Sequence, residues 1–212
     1  MIQPSISFYG FTIYEPVTAF TNFILSGYCF AFGLNVGKSH AKYWAAFFYV
    51  VALAAFFAAF GHGLFINKNN SFQLISRCTN IFAVYIASIA TILLIKNKKL
   101  TYLLNVFSLV QMLVALVCIA IYYEFWVVKW DAILGLGVIV GGVNIFFASK
   151  GNKGSRIILV GVLINALTAY IHSNKISISI WFNHNDIGHI MLIIGFYFMA
   201  KGAIKLQENA IS

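Results

Sequence analysis

A chain of 212 residues that is 61% hydrophobic and 9% charged, with a mean hydropathy of +0.89, lies outside the soluble globular range and reads as an integral membrane protein. The net charge of +9 would point to nucleic acid in a soluble protein. Here the basic residues stand in short turns between apolar runs with no basic-aromatic groove pattern, so no nucleic-acid partner is expected.

A crossing takes about 20 apolar residues, so the length holds seven spans in a single membrane domain covering residues 1–212, an all-α bundle of seven transmembrane helices. Met1 to Pro16 carry no Lys or Arg and no cleavable signal pattern. They are expected to lie along the interface, with Pro16 in the first turn of a helix. The first span covers about 17–36, and Glu15, Thr18, Asn22 and Ser26 recur on one helical face. A polar stripe of that kind faces other helices or water.

The second span, about 43–66, is rich in alanine and ends near Gly61-His62-Gly63; the third, about 76–95, begins with Arg77 and stops at Lys96-Asn97-Lys98-Lys99. The fourth covers about 100–122. After Glu124, Lys129 and Asp131 comes a fifth, about 132–148, whose Gly135, Gly137, Gly141 and Gly142 read as helix contacts and not as a phosphate loop. The sixth, about 157–171, aligns Asn165, Thr168 and His172, and the seventh covers about 187–206. Cys29, Cys78 and Cys118, odd in number and inside or beside apolar runs, read as small hydrophobes.

The distribution of cations orients the chain. The N-terminal segment and the connections on its side carry Lys68, Arg77, Lys129 and Lys175. The opposite side carries Lys38, Lys42, Lys96, Lys98, Lys99, Lys150, Lys153, Arg156, Lys201 and Lys205. Four against ten puts the N-terminus outside and the C-terminus in the cytoplasm, in a membrane of the bacterial inner (plasma) type. Glu15, His62, Arg77, Asp131, His172, His184, Asp186 and His189 then fall at one outer level.

The densest group is Trp181-Phe182-Asn183-His184-Asn185-Asp186-Ile187-Gly188-His189, at the threshold of the last span. Ionisable side chains at membrane depth are costly and mark functional sites. Histidines and carboxylates from several helices suit a transition metal, and three protein ligands plus a water make the catalytic zinc arrangement. His62, His184 and His189 are the candidate ligands, Asp186 or Glu15 the candidate base, and Asn22, Ser26 and Asn185 the supporting polar groups. Competing structural roles remain open. His62 could hydrogen-bond a neighbouring helix, His172 could be solvated, Asn185 and Asp186 could cap the last span, and Glu15 could pair with Arg77.

Seven spans, an outside N-terminus, the Glu15 to Ser26 stripe, a histidine late in span two and an Asn/His-rich start to span seven resemble the alkaline ceramidase and progestin/adipoQ-receptor superfamily of membrane hydrolases. That resemblance implies a zinc ion held by one early-helix histidine and a His-x-x-x-His pair in the last, with a nearby Ser and Asp. Here Asn185 and His189 occupy the pair's spacing, Ala58 stands where the Ser would be, and Gln73, Ser76 and Arg77 open span three without an Asp. Either His184 and Asp186 replace the missing ligands or the ion has been lost. The resemblance implies hydrolysis of a lipid amide or ester with zinc as cofactor and a membrane lipid as partner. The alternative is a non-catalytic lipid-binding or sensing protein with the same pocket. Oligomeric state is not legible in the sequence.

Overall fold

In a computed structural model, residues 4–67 and 69–211 are described; the Lys68 counted above and the start of the expected interfacial segment, Met1 to Gln3, lie outside them. The chain begins with a hairpin and continues as seven long helices: α1 (Pro16–Lys38), α2 (Lys42–Gly63), α3 (Ser71–Ile92), α4 (Lys98–Tyr122), α5 (Phe125–Ser149), α6 (Lys153–Ser173) and α7 (His184–Ile211). All seven are long and apolar enough to cross a membrane. Large apolar side chains such as Leu103, Val117 and Leu163 face outward, as lipid-facing residues must.

The hairpin is absent from the sequence reading. Strands β1 (Ser5–Phe8) and β2 (Phe11–Tyr14) pair antiparallel, Ser5 opposite Tyr14 and Phe8 opposite Phe11. The two-residue loop has positive φ at both Tyr9 and Gly10, the backbone sense of a type I′ turn that matches strand twist. A bond from Glu15 N to the Pro4 carbonyl, 2.8 Å, closes its base.

Four helix starts lie three or more residues before the expected ones, including α6, which begins at Lys153 behind the Asn152 cap and not at 157. Asn70 caps α3 by accepting from Gln73 N, so the helix begins at Ser71. Helix α5 starts at Phe125, with Gln111 bonding the Asp131 carbonyl and one carboxylate oxygen inside the bundle, while Asp131 Oδ2 has no partner among the described residues. Its middle, Ile133–Gly141, is wound as a π-helix. The start of α7 is three residues earlier than expected, at His184.

A core of Phe47, Phe48 and Phe196 joins α2 to α7, Phe47 and Phe196 meeting edge-to-face at 5.5 Å. A second cluster around Ile81, Met112, Ile119 and Val128 joins α3, α4 and α5. Of the four glycines in α5, a Cβ on Gly135 would lie 2.1 Å from Val84, a true helix contact, whereas Gly137 and Gly142 meet nothing within 4 Å.

Candidate functional site

Glu15 stands at the joint between hairpin and α1. Its backbone is left-handed, φ 41 and ψ 54, which L-residues rarely adopt and which costs of order 1–3 kcal/mol. The following Pro16 starts the helix, so the Glu15 carboxylate is delivered by the hairpin and not by the helical face assigned to it. Glu15 is buried, and its Oε2 lies 2.5 Å from His62 Nδ1.

His62 reaches that position because both its neighbours are glycine. A Cβ on Gly61 would lie 2.8 Å from the Gln73 side chain of α3, and one on Gly63 would lie 3.3 Å from Ala19 of α1. Close approach of three helices at one turn therefore depends on the Gly-His-Gly order. Asn70 Nδ2 adds a bond to the Gly61 carbonyl at 3.1 Å.

The second half of the site comes from the start of α7. Asn183 and Asp186 form a reciprocal cap: Asn183 Oδ1 accepts from Asn185 N at 2.8 Å, and Asp186 Oδ2 accepts from Asn183 N at 2.7 Å. The capping residue is therefore Asn183, while Asn185 supplies only its backbone N–H. Asp186 is fully buried and its other oxygen, Oδ1, accepts from Thr21 at 3.2 Å. One turn on, His189 Nδ1 lies 2.8 Å from the same Thr21 hydroxyl. Asn183 Nδ2 donates to Thr18 at 3.3 Å, tying the cap to α1.

The hydrogen positions follow from counting donors. Thr21 Oγ1 has one hydrogen, and two of its three neighbours, the Thr18 carbonyl at 3.2 Å and Asp186 Oδ1, are acceptors. Donation from His189 Nδ1 leaves that hydrogen free for one of these two acceptors. With Glu15 as a carboxylate, His62 also donates from Nδ1. Both imidazoles thus present a lone pair on Nε2, the state in which histidine binds metals or takes protons. No hydrogen bond to either Nε2 occurs among the described residues, and neither is among the buried unpartnered atoms. His189 is close enough to both His62 and His172 to interact electrostatically.

Other predicted members fall elsewhere. His184 donates its backbone N–H to Ser177 Oγ at 3.0 Å, and its ring lies 5.0 Å from that of His172 and 3.5 Å from Ser177. Among the described residues no three His, Cys, Asp or Glu side chains gather to hold a metal. Of the expected set, His62 and His189 lie near enough to interact electrostatically while His184 turns to Ser177 and His172, short of the three protein ligands a zinc site takes. Asn22 is buried and donates to the Thr18 carbonyl at 2.9 Å, and Ser26 donates to Ala52 on α2 at 2.8 Å; both brace α1 below the site. Asp131 belongs to a separate contact with Gln111. Arg77 donates to the Tyr123 carbonyl, holding the end of α4 against α3.

Thr21 and Asn183 are the members that sequence reasoning missed. Thr21 lies three residues after Thr18, on the same stripe, and its spacing was the available signal. A family model described as a family of unknown function (DUF6962) matches residues 17–208. No curated protein and no solved structure matches the chain.

Proposed function

We propose that this chain, which belongs to the DUF6962 family of unknown function, is an alkaline-ceramidase-like membrane protein that hydrolyses a lipid amide or ester where α1, α2 and α7 meet. The hairpin end faces outward, the lysine-rich end faces the cytoplasm, and the membrane is the bacterial plasma membrane; the excess of Lys and Arg at that end supports this orientation.

The observation that carries the reading is the buried Glu15–His62 pair at 2.5 Å, whose Nε2 bonds no described residue. A carboxylate behind Nδ1 fixes the ring and stabilises its cation, so Nε2 serves as general base. In the reaction, His62 takes a proton from water as the water oxygen bonds to the carbonyl carbon. The tetrahedral intermediate then collapses, the C–N or C–O bond breaks, and the amine or alcohol leaves with the proton returned by His62. His189 Nε2, from the opposite wall, accepts a second hydrogen bond from the attacking water. Asp186 and Thr21 hold His189 in place.

The test is turnover of ceramide and of long-chain carboxyl esters by purified protein in mixed micelles. The reading predicts hydrolysis that His62→Gln reduces by about 10²–10⁴-fold. Equal release from wild type and His62→Gln would remove it. A second reading is favoured by two neighbouring imidazoles without a third ligand: the same site holds the polar end of a lipid without cleaving it. Saturable ceramide binding without product, weakened by Thr21→Val, would select that reading.

A further inference from the structure

At the opposite end of the bundle, α4 and α5 diverge. Helix α4 packs on α3 and on the first turns of α5, up to Ala132, where Gln111 bonds the Asp131 carbonyl and carboxylate at 2.9 Å each. Beyond that clasp the helices separate and leave a cleft of about 990 Å³, at the upper end of ligand-pocket sizes of roughly 300–1,000 Å³. Its walls are apolar, with Leu100, Leu104 and Phe107 from α4 facing Val138, Val143 and Phe146 from α5.

The mouth is different. Lys96 and Lys150 stand there with Asn97, both lysines exposed, and Lys150 Nζ lies 4.2 Å from the Phe146 ring centroid. Asn97 caps α4 by accepting from Leu100 N at 3.1 Å, so the positive end of that helix dipole points at the same place. From Lys96 to Phe107 the wall is about 16 Å long at 1.5 Å per residue, half of a hydrocarbon core of about 30 Å. The cleft is therefore one leaflet deep, apolar within and cationic at the headgroup level.

We infer that the α4–α5 cleft is a binding site for an anionic diacyl phospholipid, its acyl chains against Leu104, Phe107 and Val138 and its phosphate on Lys96 and Lys150. Depth selects a lipid over a soluble apolar ligand, and the two cations select a negative headgroup over a zwitterionic one. The cleft is independent of the His62 site.

The test is native mass spectrometry of the full chain extracted from vesicles of equal phosphatidylglycerol and phosphatidylcholine. Wild type is expected to retain phosphatidylglycerol preferentially, with the preference falling about fivefold for each lysine replaced by Ala. Lys96→Arg with Lys150→Arg should keep it, and Leu104→Trp, which fills the cleft, should reduce retention of both lipids. Equal retention of the two lipids by wild type would overturn the inference, as would an unchanged preference in the double alanine variant. So would a dimer, lost on Leu104→Trp, that retains no lipid, because the cleft would then be covered by a second copy.

Discussion

Gly161 of α6 and Gly195 of α7 face each other so closely that a Cβ added to Gly161 would lie 2.5 Å from the Gly195 carbonyl oxygen. Gly154, seven residues before Gly161, and Gly202, seven after Gly195, repeat the contact, their added Cβ atoms meeting Leu206 at 2.8 Å and Ile158 at 2.5 Å. Contact at backbone level fixes the height of α7 against α6, and hence the level at which Asp186 and His189 reach α1. Gly161→Leu is expected to lower stability by about 1–3 kcal/mol or more through overpacking. Gly137→Ala, whose Cβ meets nothing within 4 Å, should be neutral or stabilising. Thermal scans of the detergent-solubilised protein, monitored by size-exclusion chromatography, would compare them; equal melting of the two variants would contradict the contact.

Thr21→Val keeps the shape of the side chain and removes the hydroxyl that links Asp186 to His189. It leaves a buried carboxylate oxygen and a ring N–H each one partner short, at a cost of about 1–3 kcal/mol. Thr21→Ser, which restores the hydroxyl, should recover most of that. The check is the loss of stability in each variant, with Ser26→Ala as a comparison that breaks a bond away from the two imidazoles.

Much of this architecture was legible beforehand, for a simple reason. Apolar runs longer than about 20 residues have one solution in a bilayer, so seven spans followed from composition. Their ends are less legible for a shared reason: a polar residue that pattern alone places in a loop can sit inside a helix when another segment bonds it, as Gln111 bonds one oxygen of Asp131. The hairpin was hidden although Ser5-Ile6-Ser7-Phe8 and Phe11-Thr12-Ile13-Tyr14 alternate, because strands of four residues are short and the Tyr9-Gly10 turn lacks the Asn-Gly or Asp-Gly signal. Within the site, spacing found the α1 stripe and the His62 and His189 positions. It failed for His184, since a residue in the first turn of α7 points where the cap sends it, toward Ser177 and His172.

Zinc content probes that failure directly. With protein purified from zinc-supplemented medium, His184→Ala is expected to leave the metal per chain, measured by inductively coupled plasma spectrometry, equal to that of wild type. A fall to background would put the His184 ring in a ligand set with His62 and His189.

Glu15 separates backbone strain from chemistry. Its φ of 41 favours glycine, so Glu15→Gly removes the strain and the His62 partner together. Glu15→Gln keeps the strain and the shape but replaces the carboxylate. Both should reduce turnover about as much as each other, since both deprive His62 of its orienting charge, while Glu15→Gly should melt higher than Glu15→Gln. Activity retained in Glu15→Gln would show the carboxylate to be structural.

The orientation itself is open to a labelling experiment that uses the two ends of the bundle. Tyr9, 95% exposed at the hairpin tip, and Lys98, exposed at the start of α4, lie at opposite ends of spans, and neither is a packing residue, so cysteine at either position should be tolerated. Cys29 is buried and Cys78 and Cys118 are partly so, but replacing all three with Ala gives a clean background. In intact spheroplasts a membrane-impermeant maleimide is expected to label Tyr9→Cys and to spare Lys98→Cys until the cells are permeabilised. The reverse pattern would turn the protein over. His62 and His189 would then face the cytoplasm, Lys96 and Lys150 would meet the outer leaflet, and the lipid reaching each site would have to be sought on the other side of the bilayer.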